Sequence, residues 1–284
     1  MLDEERERLI KQAAKDIVKA NRVVALTGAG ISTESGIPDF RGPSGLWKKY
    51  DPEEFTFSRF LSDPARFWSV QISIAMDGFS LFSAEPNPAH YALARLEELG
   101  KLNCIITQNI DGLHQKAGSK NVIEFHGNVR EAVCIRCNSI FPIEKAVTKV
   151  MEGELPPCCD YCGGVLKPNA VLFGEPIPRD ALLRAEEEAM LCDLMLVIGT
   201  SAVVYPAADL PRIAKEKTGY GWSIMGYRPQ VLGKYGAKVI EINGEPTPLT
   251  GVISDYIIEG RIGEILPRVV EEVERMLKKK EKKP

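Results

Sequence analysis

The chain of 284 residues carries 36 Lys and Arg against 39 Asp and Glu, a formal net charge of −3, with 44% hydrophobic and 26% charged residues. That balance suits a globular protein with a sizeable core and offers no bulk electrostatic attraction to nucleic acid, so direct nucleic-acid binding is not expected. No apolar run is long enough to span a bilayer, and the charged stretch Met1 to Arg8 is not followed by the core of a secretion signal. The expectation is a cytoplasmic protein with no membrane partner.

Taken in chain order, residues 3–20 place Leu9, Ile10, Ala13, Ala14, Ile17 and Val18 on one face, which predicts an amphipathic helix. Val23 to Leu26 is a short β-branched run and predicts a buried strand. Thr27-Gly28-Ala29-Gly30 breaks that strand with a turn whose glycines let backbone N–H groups approach a phosphate. Ser32, Thr33 and Ser35 add hydroxyls at the start of a predicted helix, where an anion meets the positive end of the dipole. Two readings stay open on these residues, a dinucleotide loop or an ordinary strand-to-helix turn. Thr33 stands where G-x-G-x-x-G has its third glycine, and no acid ends a second strand about 20 residues on. Asp39, Phe40 and Arg41 then follow inside a Gly/Pro-bounded loop, where Arg41 suits a pyrophosphate and Phe40 suits a ring.

The string GAGISTESGIPDFRG resembles the nucleotide loop of the sirtuins, the NAD-dependent protein-lysine deacylases. The resemblance implies that Gly28, Ala29, Gly30, Ser32, Asp39, Phe40 and Arg41 contact NAD. Residues 45–95 read as an inserted helical module whose Phe and Trp residues pack rather than react, and Pro86-Asn87-Pro88 ends it before a helix from Ala89 to Leu99. Cys104 to Thr107 predicts a strand with Gln108, Asn109, Ile110 and Asp111 at its carboxyl end, where open α/β sheets bind ligands. Those residues are read either as a polar cap on the helix at 111–117 or as contacts to a ribose and a carboxamide. TQNID again resembles the sirtuins, which implies the second reading and gives Asn109 a catalytic part.

Val122 to Phe125 predicts another strand, and His126-Gly127 follows it. Of the three histidines, His90 and His114 are read as structural, whereas His126 stands at a strand end beside a glycine, with a ring suited to accept a hydroxyl proton near neutral pH. It also matches the catalytic histidine of the sirtuins. The seven cysteines are an odd number, and Cys134-x-x-Cys137 and Cys159-x-x-Cys162 lie 21 residues apart. Four thiolates satisfy tetrahedral zinc without an open position, so the pairs predict one structural Zn²⁺, with Cys158 spare, in preference to a disulfide framework or a redox pair. No basic and aromatic flank accompanies them, against a nucleic-acid zinc ribbon.

Val171, Leu172, Phe173, Gly174 and Glu175 form an extended segment, and in the sirtuins the matching FGE stretch is one of two strands that hold the acyl-lysine peptide. The resemblance assigns Val171, Phe173, Gly174 and Glu175 to substrate, with Val203, Val204 and Tyr205 as the second flank. Residues 179–191 predict an acidic helix, and Leu194 to Ile198 a strand capped by the small-residue turn Gly199-Thr200-Ser201, a further phosphate or ribose contact. Val239 to Ile242 predicts the next strand, with Asn243 and Glu245 meeting the adenosine ribose. Ile262, between Gly260 and Glu264, is also placed with NAD, before a final amphipathic helix. The stretch 218–235, rich in glycine and aromatics, departs from the family pattern and is expected at the amino-terminal end of the strands, away from the nicotinamide.

The predicted fold is α/β, a doubly wound, mostly parallel Rossmann-like sheet built from 1–44, 96–127 and 169–284. A smaller domain combines the 45–95 helical module with a zinc-ribbon module at 128–168. The resemblance implies an enzyme that moves an acyl group from protein lysine to ADP-ribose and releases nicotinamide. In that mechanism the amide oxygen attacks the ribose C1′ and His126 takes a ribose hydroxyl proton. The alternatives weighed are protein ADP-ribosyl transfer, a hydride-transferring dehydrogenase and a non-enzymatic zinc-bearing binding module. Sirtuins that prefer succinyl or malonyl lysine carry Tyr and Arg at the positions that align here with Gln71 and Ile74, so neutral acyl groups are expected.

Overall fold

A computed structural model describes residues 2–40, 42, 45–76, 83–217 and 236–281. Arg41 and the 218–235 connection, both singled out above, lie outside the described residues. The chain opens with α1 (Leu2–Lys19) and β1 (Val23–Thr27), continues through short 3-10 turns into α2 (Phe57–Ser62), α3 (Pro64–Met76) and α4 (Pro88–Glu98), then β2 (Cys104–Thr107), α5 (Leu113–Lys116) and β3 (Val122–Glu124). Next come β4 (Gly127–Cys134), β5 (Ile140–Pro142), α6 (Ile143–Met151) and β6 (Leu166–Ala170). The chain closes with α7 (Arg179–Leu191), β7 (Leu194–Ile198), α8 (Leu210–Glu216), β8 (Lys238–Asn243), β9 (Tyr256–Glu259) and α9 (Ile262–Glu281).

Six strands pair in the order β3-β2-β1-β7-β8-β9, all parallel. Counted among themselves, this is the 3-2-1-4-5-6 order of a dinucleotide-binding sheet, with its switch point between β1 and β7. Both faces are covered, so the strands read as continuous apolar runs whose alternate residues serve opposite sides. Val23, Ala25, Leu194 and Leu196 pack with α1, α4 and α9. Val24, Leu26, Met195 and Val197 pack with α7 and α8.

A second, antiparallel sheet, β5-β4-β6, carries the cysteine pairs. The helical insert shares its core: Phe60, Phe67 and Trp68 pack with Phe141, Leu166 and Cys159. The indole Nε1 of Trp68 donates to the Leu166 carbonyl at 2.9 Å, which satisfies its one polar group inside that core. Lys217 and Gly236, on either side of 218–235, lie by the amino-terminal ends of β7 and β8. Lys217 Nζ donates to the Cys192 carbonyl, and Ala237 N–H pairs with Ala214 O at 2.9 Å.

Candidate active site

The loops leaving β1, β2, β7 and β8 meet at the carboxyl edge of the sheet, on both sides of the switch point. The segment after β1, Ala29–Ser35, is a 3-10 helix ended by Gly36 with φ 83°, in place of the expected α-helix. Two turns of 3-10 helix supply little dipole, so the segment serves through its side chains. The glycines have a specific reason. Gly28 and Gly30 donate their N–H groups to Ile198 O at 3.1 Å and Gly199 O at 2.8 Å. A Cβ on Gly28 would stand 2.7 Å from Thr200 Cβ, and one on Gly30 2.8 Å from Gly199 O. The two turns at the switch point are therefore in backbone contact, and these two N–H groups serve the protein.

Side chains continue this seam. Gln108 Nε2 donates to Thr200 Oγ1 at 3.0 Å, and Asn109 Nδ2 to Gly28 O and Ser32 Oγ, each at 3.1 Å. Ser32 Oγ donates to Asp111 Oδ2 at 2.7 Å, while Asp111 Oδ1 accepts from Leu113 N at 2.9 Å. Burial raises the Asp111 carboxyl above its usual range, with the Leu113 and Ser32 bonds acting the other way. Asn243 Nδ2 reaches Thr200 O at 3.4 Å and Glu245 O at 2.9 Å, tying the end of β8 to the end of β7. Ala29 and Gly30 are half-buried, Ser201 and Glu245 are exposed, and buried Ile262 packs against Gly199. Ile110 joins through its carbonyl, which accepts from Val129 N at 3.2 Å.

His126 sits in the turn between β3 and β4, immediately before β4, with its Nδ1 3.1 Å from Gln108 O. A carbonyl can only accept, so Nδ1 carries the proton and Nε2 keeps its lone pair. Burial lowers its pKa below the ordinary histidine value, partly offset by the Gln108 contact. The His126 carbonyl also accepts from Val171 N at 2.9 Å, which links this ring to the segment 171–175. That segment is irregular: Phe173 trades backbone bonds with Phe55 O and Phe57 N, and Gly174 turns with φ 80°. Glu175 points inward, accepting from Leu172 N at 2.9 Å and pairing with buried Lys167 at 3.1 Å. Val203, Val204 and Tyr205 form a turn, with Ala208 N bonded to Val204 O at 2.9 Å, in place of the expected second extended flank. Among the described residues no hydrogen bond joins 203–205 to 171–175. Asp39 accepts from Gly42 N at 2.8 Å, and Phe40 lies against Trp47 with ring centroids 5.0 Å apart.

The seam also contains residues the sequence reading missed. Thr27 Oγ1 donates to Thr107 Oγ1 at 2.9 Å and stands 2.9 Å from His114 Nε2, a buried hydroxyl pair set by the register of β1 on β2. Asn87 caps α4 through Ala89 N at 2.9 Å and also donates to Ile31 O at 2.7 Å, fixing the β1 segment from behind. Glu34 accepts from Gly263 N at 2.8 Å and so caps α9. An Asn before Pro and an acid inside the segment after β1 were visible signals, but their long-range partners were not.

The four cysteine sulfurs of Cys134, Cys137, Cys159 and Cys162 lie within 4.8 Å of one another, with Cys134–Cys162 at 3.4 Å and Cys137–Cys159 at 3.7 Å. Tetrahedral Zn–S bonds of ~2.3 Å imply S···S separations of about 3.8 Å, so the cluster fits zinc. Arg136 N and Gly164 N point at Cys134 and Cys162 sulfur, each at 3.4 Å, and a Cβ on Gly164 would come 2.9 Å from Cys134 Sγ. Cys158 Sγ instead faces Pro156 O at 3.5 Å.

The Sir2 family model matches residues 28–206. An NAD-dependent protein deacylase 2 of Pyrobaculum aerophilum is 47% identical over 93% of this chain and 96% of its own. An NAD-dependent protein deacetylase of Saccharolobus solfataricus is 44% identical over 95% of this chain and 99% of its own. Among solved structures, one described as the structural basis for the mechanism and regulation of Sir2 enzymes superposes with a TM-score of 0.80 at 46% identity, covering 95% of this chain and 99% of that one. A Sir2 structure with p53 peptide and NAD⁺ gives 0.77 at 39% identity, covering 93% of this chain and 98% of that one. With the family model covering more than half its length and relatives matched nearly end to end, the chain belongs to the Sir2 family.

Proposed function

We propose that this protein removes acyl groups from lysine side chains of proteins or peptides, using NAD as a consumed co-substrate. The observation that carries this reading is the tautomer of His126, held with Nε2 as an acceptor beside the seam of Ser32, Asn109 and Asp111. The donor set suits a dinucleotide. Hydroxyls, amides and one carboxylate gather at the switch point of a 3-2-1-4-5-6 sheet, where such ligands bind. When bound, NAD supplies a ribose whose bond to nicotinamide is the one broken.

The chain's own residues then have distinct tasks. His126 Nε2 takes a hydroxyl proton, and Gln108 O holds the charged ring once it forms. Asn109 spends its N–H₂ on Gly28 and Ser32, which turns its Oδ1 toward a donor on the ligand. Asp111, fixed by Ser32 and Leu113, holds a carboxyl oxygen for an amide N–H. Gly28, Ala29, Gly30, Ser32, Asp39 to Arg41, Gly199 to Ser201, Asn243, Glu245 and Ile262 contact the rest of NAD. Val171, Phe173 to Glu175 and Val203 to Tyr205 contact the peptide. The four cysteines hold one Zn²⁺ that fixes the smaller sheet and takes no part in the chemistry. The domain boundaries given above, a cytoplasmic site of action and the absence of direct nucleic-acid binding belong to the same reading. Cys104, Cys158 and Cys192, outside the zinc cluster and free of disulfides, suit a reducing compartment, and among the described residues no helix is long and apolar enough to cross a membrane.

Neutral acyl groups are preferred. Gln71 and Ile74 on α3 offer no cation, and Arg66 on the same helix is paired with Glu54 at 2.5 Å. An unpaired acyl carboxylate there costs several kcal/mol, whereas each buried CH₂ contributes about 0.8 kcal/mol. Acetyl, myristoyl and succinyl forms of one lysine peptide, incubated with NAD, test both parts. Equal amounts of free-lysine peptide, nicotinamide and O-acyl-ADP-ribose are expected, with kcat/KM lowest for succinyl. NAD loss without peptide deacylation would refute the activity, and a highest value for succinyl would refute the preference.

A further inference from the structure

The turn that carries His126 is closed by one buried amide. Gly127 pairs with Ala170 and Ala132 with Pro168, so residues 128–131 bulge out of the ladder between β4 and β6. A bulge takes backbone N–H groups out of register with the neighbouring strand, and inside a protein they need acceptors elsewhere. Asn128, 5% exposed, supplies one: its Oδ1 accepts from Arg130 N at 3.0 Å and from Glu131 N at 3.1 Å. Its Nδ2 donates to Glu124 Oε2 and to Glu131 Oε2, each at 3.2 Å. Both lone pairs and both N–H bonds of the amide are thereby used. Its orientation is fixed as well, since backbone N–H groups only donate and carboxylates only accept. Behind the bulge, Asn169 Nδ2 donates to Glu131 Oε2 at 2.8 Å and ties it to β6, while Arg130 pairs with both oxygens of Glu124 at 2.8 and 3.0 Å.

Glu124 ends β3 two residues before His126, and Asn128 stands two residues after it, so the bond between their side chains spans the turn that bears the ring. Phe125 N–H on Thr107 O, at 2.9 Å, fixes the entry to that turn, and Asn128 fixes the exit. The bulge also brings Val129 N within 3.2 Å of Ile110 O, in the loop whose Gln108 O holds His126 Nδ1. We propose that Asn128 is a positioning residue for His126: by closing the turn it holds Nδ1 against Gln108 O and so keeps Nε2 as the acceptor. What the ring then does rests on the deacylase reading, whereas how it is held does not.

The test follows the His126 ring by nitrogen NMR, at a pH where the ring is neutral, together with kcat and the Kd of NAD. It compares wild type, Asn128→Ala, Asn128→Asp and the double variant Asn128→Asp with Glu131→Gln. Wild type should show the Nδ1–H form alone. Asn128→Ala should show both tautomers, with zinc and NAD affinity kept and kcat lowered by up to ~10²-fold, the cost of a catalytic group misplaced by about 1 Å. Asn128→Asp keeps the side-chain shape and the bonds to Arg130 N and Glu131 N, but sets a third carboxylate against Glu124 and Glu131, and should act likewise. Adding Glu131→Gln returns a donor to that pair, so the double variant should recover the Nδ1–H form and most of kcat, which a loss of folding alone would not allow. If Asn128→Ala does not fold, the two variants built on Asn128→Asp decide. An unchanged tautomer in the folded single variants, or a double variant no better than Asn128→Asp, overturns the proposal. Failure of the deacylase reading is distinguishable, because the tautomers would then change as stated while wild type formed no deacylated peptide from NAD and acetyl-lysine peptide.

Discussion

At the scale of single residues, the three histidines show how surroundings decide role. His90 and His114 lie 5.0 Å apart between rings, and burial pushes their pKa values down to about 4 and about 3. His90 Nδ1 accepts from Asn87 N at 3.3 Å, and with their pKa values lowered both rings are neutral structural groups behind the Ala29–Ser35 segment. A histidine whose folded pKa lies below its unfolded value of about 6.5 stabilises the fold above that pH and loses the contribution as pH falls toward the folded pKa. Stability to urea should therefore decline from about pH 7 to about pH 4, with Asp111, whose carboxyl burial raises, opposing that decline. His90→Gln should flatten the slope by up to ~1.4 kcal/mol per pH unit; an unaltered slope would assign the titration elsewhere. His126 differs because its Nδ1 meets a backbone carbonyl and its Nε2 has no hydrogen-bond partner among the described residues. His126→Ala should lose ~10²–10⁴-fold in kcat with NAD affinity retained. Because burial lowers its pKa, the acid limb of kcat/KM in wild type should fall below the ordinary ~6.5. Near-normal turnover in the variant would remove His126 from the base role.

At the scale of elements, five of the six strands of the large sheet were legible because burial on both faces writes them as short apolar runs bounded by polar turns, whereas the edge strand β9 (Tyr256–Glu259) was not singled out. The cysteine pairs were legible because metal geometry fixes their spacing. β6 was not, since Leu166-Lys167-Pro168-Asn169-Ala170 is polar and contains proline. It forms at the edge of its sheet, where a missing N–H is tolerated, and Lys167 is buried by donating to Ala170 O at 2.6 Å and pairing with Glu175. The 3-10 helix at Ala29–Ser35 and the turn at 203–205 were missed because local residue types did not reveal the seam that shapes them. The shared core of α2, α3 and the smaller sheet was equally hidden, as its contacts join segments about 100 residues apart, such as Trp68 and Leu166. That core carries a consequence for metal removal. Chelating zinc should increase amide exchange in α2 and α3 as well as in β4–β6, because Trp68 and Phe67 lose the wall they pack on. Cys159→Ser should lose zinc and Cys158→Ser should keep it. The reverse pattern, or α2 and α3 unaffected by chelation, would contradict this arrangement.

At the scale of the whole molecule, strand order is the feature that positions everything else. The order 3-2-1-4-5-6 brings the ends of β1 and β7 together, and the Gly28, Gly30 and Gly199 turns press closely enough that no Cβ fits between them. β2 and β8 then supply Asn109, Asp111 and Asn243 from either side, and β3 leads directly to His126. The smaller sheet begins one residue after that histidine, so the segments at 171–175 and 108–111 meet at one residue through Val171 N and Gln108 O. A hydride-transferring enzyme on the same sheet would keep nicotinamide attached to its ribose, whereas an acyl-accepting one must release it. The most direct test is therefore the release of nicotinamide from NAD by the zinc-loaded wild-type protein, followed with and without an acetyl-lysine peptide. Release should depend on the peptide and match the free lysine formed, mole for mole. Reduction of the nicotinamide ring, or release at the same rate without any acyl-lysine, would contradict NAD-dependent deacylation as the function of this fold.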